Sequence, residues 1–239
     1  MYTLIKQIFD SITEKLTDSY YGKKIMAAYL AYGAEYDFCK FYSCGDRIVH
    51  IYNSSMVIDG NIDTSELEMF INVVKPVSIE VSSDCALQNV FGYKNKHRTL
   101  FHLKSYETDI QIDGVKVNTC ADVCYDILKG SFENMGDFDA WYVDINHRIR
   151  HQVANLYLFD STTITQQFNI NGFVSLSHIA TAEAARGKGT ARRLLYCLAE
   201  KYKSEGCEAY LWALDHRKSF YESIGFEPIA EDILYEMEG

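Results

Sequence analysis

Residues 179–195 read IATAEAARGKGTARRLL. The apolar end of a candidate strand passes through a Gly-rich turn into a candidate helix, and that context carries more weight than the glycines alone. A helix N-terminus presents unpaired N–H groups and a partial positive charge, so it attracts anions. Gly187 and Gly189 remove the side chains that would keep a diphosphate off the backbone, and Arg186, Lys188, Arg192 and Arg193 make the turn a basic island. Two phosphate-loop patterns fail here on spelling. A Walker loop needs Gly five residues before the Gly-Lys pair and Ser or Thr after the Lys, where this chain has Ala182 and Gly189. A dinucleotide fingerprint needs a third Gly where Arg192 stands, and a strand that opens a βαβ unit rather than one returning from a hairpin.

Outward from the turn, FVSLSHIAT (173–181) reads as a strand joined to TITQQFNI (163–170) by an Asn171-Gly172 hairpin signal. The helix is expected from about Lys188 to Ser204, with Ala191, Leu194, Leu195, Leu198 and Tyr202 on one stripe and Gly206 as its stop. EAYLWAL (208–214) is apolar on both faces, as in a buried strand beside a helix crossover. HRKSFYES (216–223) then reads as a helix and DILYEME (232–238) as a strand. Upstream lie a strand DIQIDGVKV (109–117), helices CADVCYDILKG (120–130) and DFDAWYVDINHRIRH (137–151), and a strand VANLYLF (153–159).

The first half shows the same order. Ile5, Ile8, Phe9, Ile12 and Leu16 have helical spacing, and a second helix reaches about Ala31 before Gly33. Strands FCKFYSC, RIVHIYN and SMVID, the first two joined by a Gly45-Asp46 turn, lead to a helix SELEMFINVV, a strand SIEVS, a helical ALQNVFG and a strand TLFHLKS. A gapless shift of 133 residues sets VSIEVSSDCALQNVFGYK (77–94) on YLWALDHRKSFYESIGFE (210–227), with Gly92-Tyr93 on Gly225-Phe226. Shared element order favours a duplicated α/β unit.

Arg186-Gly187-Lys188-Gly189-Thr190-Ala191 resembles the pyrophosphate loop of the GNAT superfamily of acyl-CoA-dependent N-acetyltransferases, whose pattern is Arg/Gln-x-x-Gly-x-Gly/Ala. SFYESIGFEP (219–228) resembles that family's Phe/Leu-Tyr-Glu-x-Leu/Ile-Gly-Phe helix and turn after the fifth strand. The resemblance covers residues 109–239, with 37–105 as a weaker echo. It implies a GNAT mixed sheet flanked by helices, in a tandem of two GNAT-like units: a degenerate one with leading helices over 1–108 and a catalytic one over 109–239. It also implies acetyl-CoA as co-substrate. Its pantetheine arm would pair with main-chain groups of Ile179, Ala180 and Thr181, and its diphosphate would rest on the amides of Gly187, Lys188, Gly189, Thr190 and Ala191. Arg186 and Lys188 add charge there.

Tyr221 stands where the family has its thiolate-protonating tyrosine. A phenol is protonated at neutral pH and can supply a proton to a departing sulfur, although a tyrosine that merely packs is the competing reading. The base is less legible. Family members place Glu or His on the strand before the loop at offsets that correspond here to Phe173, Ser175 and Ser177. His178 has the wrong parity, so it is expected to face the other side in a structural role unless a bulge shifts it. An ordered water is the expected relay, with Ser175, Ser177 and Asp215 as residues lining the acceptor pocket. Asp215 competes as a helix N-cap, and Glu183 reads as a solvated turn residue. His147 and His151 have zinc-like spacing, but Arg148 stands where a metalloprotease needs Glu, and the Cys39/Cys44 and Cys120/Cys124 pairs do not complete a four-ligand site, so no metal is expected.

In the first half, DGNIDTSE lacks the loop pattern and Gln88 matches Tyr221 under the 133-residue shift, so this half is expected to bind no CoA. It would extend the sheet and could wall the acceptor pocket with residues such as Tyr42 or Tyr52.

At 239 residues, 48% hydrophobic and 23% charged, with two prolines, the chain allows one large domain or two smaller ones, without a stiff linker. No stretch approaches the ~20 apolar residues of a membrane helix. The opening MYTLIKQIFDSITEKL carries charges where a signal peptide needs an apolar run, and cysteines at 39, 44, 85, 120, 124, 197 and 207 fit reduced thiols, which together point to the cytoplasm. The net charge is −10, with 11 basic against 15 acidic residues in 1–115 and 12 against 18 in 116–239. Neither half is basic, which argues against nucleic acid and allows a small cationic partner. The expected activity is acetyl transfer from acetyl-CoA to a primary amine of a small molecule or peptide, by direct attack in a ternary complex. A silent acyl-CoA-binding module or sensor is the rival, and a longer acyl donor a third reading.

Overall fold

The computed structural model describes residues 2–5, 13, 16, 19–44, 47–60, 63–82, 87–88, 90–104, 106–107, 110 and 112–238. They form two compact units: Met1–Thr99 with Leu214–His216 and Ala230–Gly239, and Leu100–Ala213 with Arg217–Ile229. The first contains β1 (Thr3–Ile5), α1 (Tyr20–Tyr32), β2 (Cys39–Cys44), β3 (Arg47–Tyr52), β4 (Ser55–Ile58), α2 (Thr64–Val74), β5 (Ser78–Ser82) and the start of β6 (Tyr93–Leu103). The second contains the end of β6, β7 (Lys116–Val117), α3 (Ala121–Lys129), α4 (Phe138–Arg150), β8 (Asn155–Phe159), β9 (Thr162–Ile170), β10 (Phe173–Thr181), α5 (Thr190–Ser204), β11 (Glu208–Leu214) up to Ala213, α6 (Lys218–Ser223) and the start of β12 (Phe226–Met237). The later part of β12 belongs to the first unit.

The two units repeat one topology. Strand order is β1-β2-β3-β4-β5-β12 in the first and β7-β8-β9-β10-β11-β6 in the second. In each, a run of antiparallel pairs ends in a parallel pair, β4 with β5 and β10 with β11. Each unit is completed by a strand from the other half of the sequence, so β6 and β12 both cross the boundary between units. This is a mixed sheet flanked by helices, in tandem.

Local chemistry explains the elements. Ser19 caps α1 by accepting from the Gly22 amide at 2.7 Å, and Gly33 at φ 64 ends it. Leu194, Leu195, Leu198, Ala199 and Tyr202 form the buried stripe of α5 and pack with Val174, Leu176, Leu211 and Ala213. Asn171 and Gly172 both have positive φ, which a two-residue hairpin turn of this hand requires.

Three expectations change. Ile5 lies in β1, paired opposite Phe41, not on a helix, while Ile8, Phe9 and Ile12 lie outside the described residues, as do Gly45 and Asp46. ALQNVFG is not helical at its described positions, because side chains satisfy its backbone instead: Leu87 N–H donates to the Tyr235 hydroxyl and Gln88 N–H to the Glu68 carboxylate. Among the described residues of DIQIDGVKV only Lys116 and Val117 form a strand; Gly114 turns the chain at φ 85 just before them.

The first unit holds a charged cluster of half-buried Lys24, Glu80 and Arg98 around the buried Asp232. Arg98 donates to both oxygens of Asp232 at 3.0 and 2.6 Å and to Glu80 at 3.3 Å, and Lys24 reaches Glu80 at 2.6 Å. Burial raises the Glu80 carboxyl, but Lys24 and Arg98 overcome it and hold the group at about 2. A depressed folded value means that its contribution to stability is present above pH 4.5 and is lost as the pH falls toward about 2. Burial pushes the Asp232 carboxyl up to about 8, so Arg98 is its hydrogen-bond donor as well as a charge partner. Arg98→Met leaves Glu80 with Lys24 alone and Asp232 without that donor, and is expected to lower the unfolding free energy by about 3–5 kcal/mol in urea titrations at pH 7. A loss below about 1 kcal/mol would show the cluster to be peripheral to stability.

Candidate functional site

β10 and β11 run parallel but share register over only Phe173–Ser175 and Glu208–Tyr210, although they continue to Thr181 and Leu214. The other edge of β10 stays paired with β9 as far as Thr181. From Leu176 onward, the edge of β10 toward β11 therefore offers backbone N–H and C=O groups that no strand register satisfies among the described residues. Ile179, Ala180 and Thr181 lie on that edge.

Past Thr181, a 3-10 turn at Glu183–Ala185 leads into the glycine turn. Gly187 (φ 80) and Gly189 (φ 73) need a conformation that side chains disfavour, and a Cβ added at Gly187 would meet nothing within 4 Å. The cradle is open. Gly189 is the N-cap of α5 and no side chain caps it, so the first-turn amides are left for an anion. Arg186 ties this turn to its surroundings, donating from Nε to the Thr181 carbonyl at 3.1 Å and from its terminal nitrogen to Ser131 at 3.3 Å. Lys188 is exposed, Ala191 half-buried and Thr190 buried. The Arg186 bond to the Thr181 carbonyl thus ties the turn 186–191 to the end of β10.

Tyr221, on α6, packs among Phe101, Phe220 and Phe226 with ring centroids 5.9, 5.2 and 5.5 Å away. Burial pushes its phenol up to about 12, with Arg217 pulling the other way. The group stays protonated at neutral pH and is chemically suited to give a proton to a sulfur anion.

Ser175 is fully buried opposite Phe168, and Ser177 is half-buried opposite Thr165. Both face away from α5, because Val174 and Leu176 take that side. Asp215 is exposed and opens a 3-10 turn in the first unit; the N-cap position of α6 is Arg217, so Asp215 does not cap that helix. Glu183 is exposed in its turn. The His147 and His151 rings stack at 4.4 Å, and no group of three or more metal-binding side chains converges among the described residues. Tyr42 packs on Phe70, and Tyr52 joins Tyr32 and Phe38, all inside the first unit.

The structure corrects the reading of His178. The pairing shifts between Ser177 and Ala180, and His178 sits in that bulge with φ 46. Its ring meets Phe132, which follows α3, and the residue is not turned into the α5 core. A sequence signal existed: the apolar positions run 174, 176, 179, and the step of three breaks strand alternation.

His102 was missed for a different reason. It belongs by sequence to the first half, but the end of β6 lies beside β11 in the second unit. There its ring stacks on Tyr210 at 4.3 Å, and Tyr210 stacks on Phe173 at 3.8 Å. Nε2 of His102 lies 3.7 Å from the Glu208 carboxylate, to which the Tyr210 hydroxyl donates at 2.6 Å. Burial lowers the His102 pKa against the pull of Glu208. No local pattern announces a strand exchange.

The family model described as acetyltransferase (GNAT) domain matches residues 145–228. A GCN5-related N-acetyltransferase from Kribbella flavida has a similar structure, with TM-score 0.60 at 13% identity over 97% of each chain. An acetyltransferase of the GNAT family from Colwellia psychrerythraea gives 0.57 at 12% over 100% of both chains. A tandem GNAT protein from the clavulanic acid biosynthesis pathway gives 0.59 at 8%, over 98% of this chain and 97% of that one. At these identities the likeness is one of fold. No curated protein sequence matches the chain.

Gly189→Glu places a carboxylate at the uncapped start of α5. It is expected to weaken CoA binding at least ~10-fold in calorimetry, since a fixed negative charge would occupy the anion site. Unchanged affinity would show that no diphosphate sits there.

Proposed function

We propose that this chain, whose residues 145–228 match the acetyltransferase (GNAT) domain model, acts as a GNAT enzyme that moves the acetyl group of acetyl-CoA to the primary amine of a small molecule or peptide, by direct attack in a ternary complex. One observation carries the reading. β10 and β11 part after Ser175 and Tyr210, and the edge thus opened runs directly into an uncapped, glycine-lined helix start. An arm bearing amides and ending in a diphosphate suits such a surface along its whole length. Ile179, Ala180 and Thr181 would hold the arm, and residues 187–191 with Arg186 the diphosphate.

The amine nitrogen attacks the thioester carbonyl, the tetrahedral adduct collapses, and the C–S bond breaks. Tyr221 gives its proton to the departing sulfur, a role supported by a phenol that burial keeps protonated. The first unit is read as binding no CoA, because β4 and β5 stay in register from Ser55–Ser78 to Ile58–Val81, the end of β4. A closed pair leaves no gap for the arm.

A second reading, a CoA-binding module without turnover, is favoured by one feature. Phe173, Ser175 and Ser177 stand where family members carry an ionisable base, and Phe173 is stacked against Tyr210 while Ser175 is fully buried. CoA release with a panel of amines separates the two, since a sensor binds CoA and releases none from acetyl-CoA under any acceptor. Within the enzyme reading, Tyr221→Phe is expected to reduce turnover by about 10²-fold or more while CoA affinity stays within about threefold. Unchanged turnover across acceptors would remove Tyr221 from the mechanism.

A further inference from the structure

Resting on the transfer reaction above, we propose that His178 is the base that takes the proton from the acceptor ammonium. Unbroken alternation would send this side chain the way of Val174 and Leu176, into the apolar face beneath α5. The bulge prevents that. Ser177 stands opposite Thr165 and Ala180 opposite Thr163, so His178 and Ile179 together face the single residue Ile164. Ile179 packs against the α5 core, Ala180 joins Cys124, Ile127 and Leu128 of α3, and His178 is released between them. Its ring meets Phe132 edge to face at 5.8 Å, and its Nδ1 lies 3.3 Å from Ser177 Oγ. The imidazole is therefore on the α3 side of the sheet with Ser175 and Ser177, and it is half-buried rather than sealed.

Three observations converge on it. His178 is the one titratable side chain of β10. It lies beyond Ser175, where pairing with β11 has ended, and directly before the main chain of Ile179–Thr181. A non-glycine residue at positive φ inside a strand persists only where its surroundings over-determine it, and such positions cluster at sites of chemistry. His102 is the competing imidazole on this side, but it is 7% exposed, covered by the Tyr210 ring, and lies on β6, two strands away from β10.

The protons balance. His178 removes one proton from the alkylammonium, which frees the lone pair that forms the C–N bond. When the adduct collapses, Tyr221 protonates the sulfur, and the second proton leaving nitrogen restores the phenol. The imidazolium then returns its proton to solvent.

The test compares CoA release by the full chain at one neutral pH with two acceptors, an alkylamine that is protonated and a hydrazide or aromatic amine that is already neutral. His178→Asn is the suitable variant, because Asn tolerates positive φ and cannot act as the base. Turnover on the alkylamine is expected to fall ~10²-fold or more, and turnover on the neutral nucleophile less than about threefold, with CoA affinity unchanged in calorimetry. Equal losses on both acceptors, or no loss on either, would overturn the proposal. So would the selective pattern appearing in His102→Gln in place of His178→Asn. Wild-type protein that binds CoA but transfers acetyl to no acceptor would overturn the transfer reaction itself and the base with it.

Discussion

Two parallel strands that stop pairing set the terms for the rest of the second unit. Backbone N–H and C=O groups inside a protein need partners, and β10 loses those of β11 after Ser175. Its outer edge is already occupied by β9, and Val174 and Leu176 are committed to the apolar face under α5. An extended ligand that carries donors and acceptors of its own can pair with the open edge. At the far end of that edge the chain turns through Gly187 and Gly189 into a helix with uncapped amides, which asks for negative charge. Extended amides followed by an anion match a pantetheine diphosphate arm, which is why the proposed cofactor suits this edge and turn.

The first unit shows what the same topology becomes when the parallel pair stays closed. β4 and β5 remain in register to the end of β4, and Glu80, opposite Val57, joins its carboxylate to Lys24 and Arg98 in the half-buried cluster. In this unit the parallel pair is continuous sheet braced by charge. Its contribution to the other unit is covalent: β6 begins in the first unit and ends beside β11 in the second, while β12 makes the return journey to β5. Neither half of the sequence contains all the strands of its own unit.

Much of this was legible because it is local. The turn 186–191, the stripe on α5, the Asn171-Gly172 hairpin and the FYESIGF segment all fix conformation over a few residues, and each is found where the sequence puts it. What stayed hidden depends on distant partners. Leu87 and Gln88 carry a helical pattern, yet their amides go to Tyr235 and Glu68, and no window of sequence contains those competitors. Ile5 has helical spacing, yet β2 offers it a strand edge. His102 reaches the second unit only through the strand exchange, so its stack on Tyr210 and its contact with Glu208 are properties of topology.

His178 occupies the middle ground, and it shows how one extra residue redistributes a strand. Side chains alternate with period two, so a single insertion moves everything beyond it to the other face. In FVSLSHIAT the apolar residues at 174, 176 and 179 can all reach α5 only if one residue between 176 and 179 is passed over. The main chain does so at His178, adopting positive φ at a cost of about 1–3 kcal/mol for a residue with a side chain. Packing of the half-buried Ile179 against α5 and burial of Ala180 against α3 work against that cost, at about 0.8 kcal/mol for each carbon group taken out of water. Packing therefore sets the bulge, and the bulge aims the imidazole. The residue that carries the proton in the proposed reaction needs no dedicated support, because the core on both faces of the sheet already holds it in place.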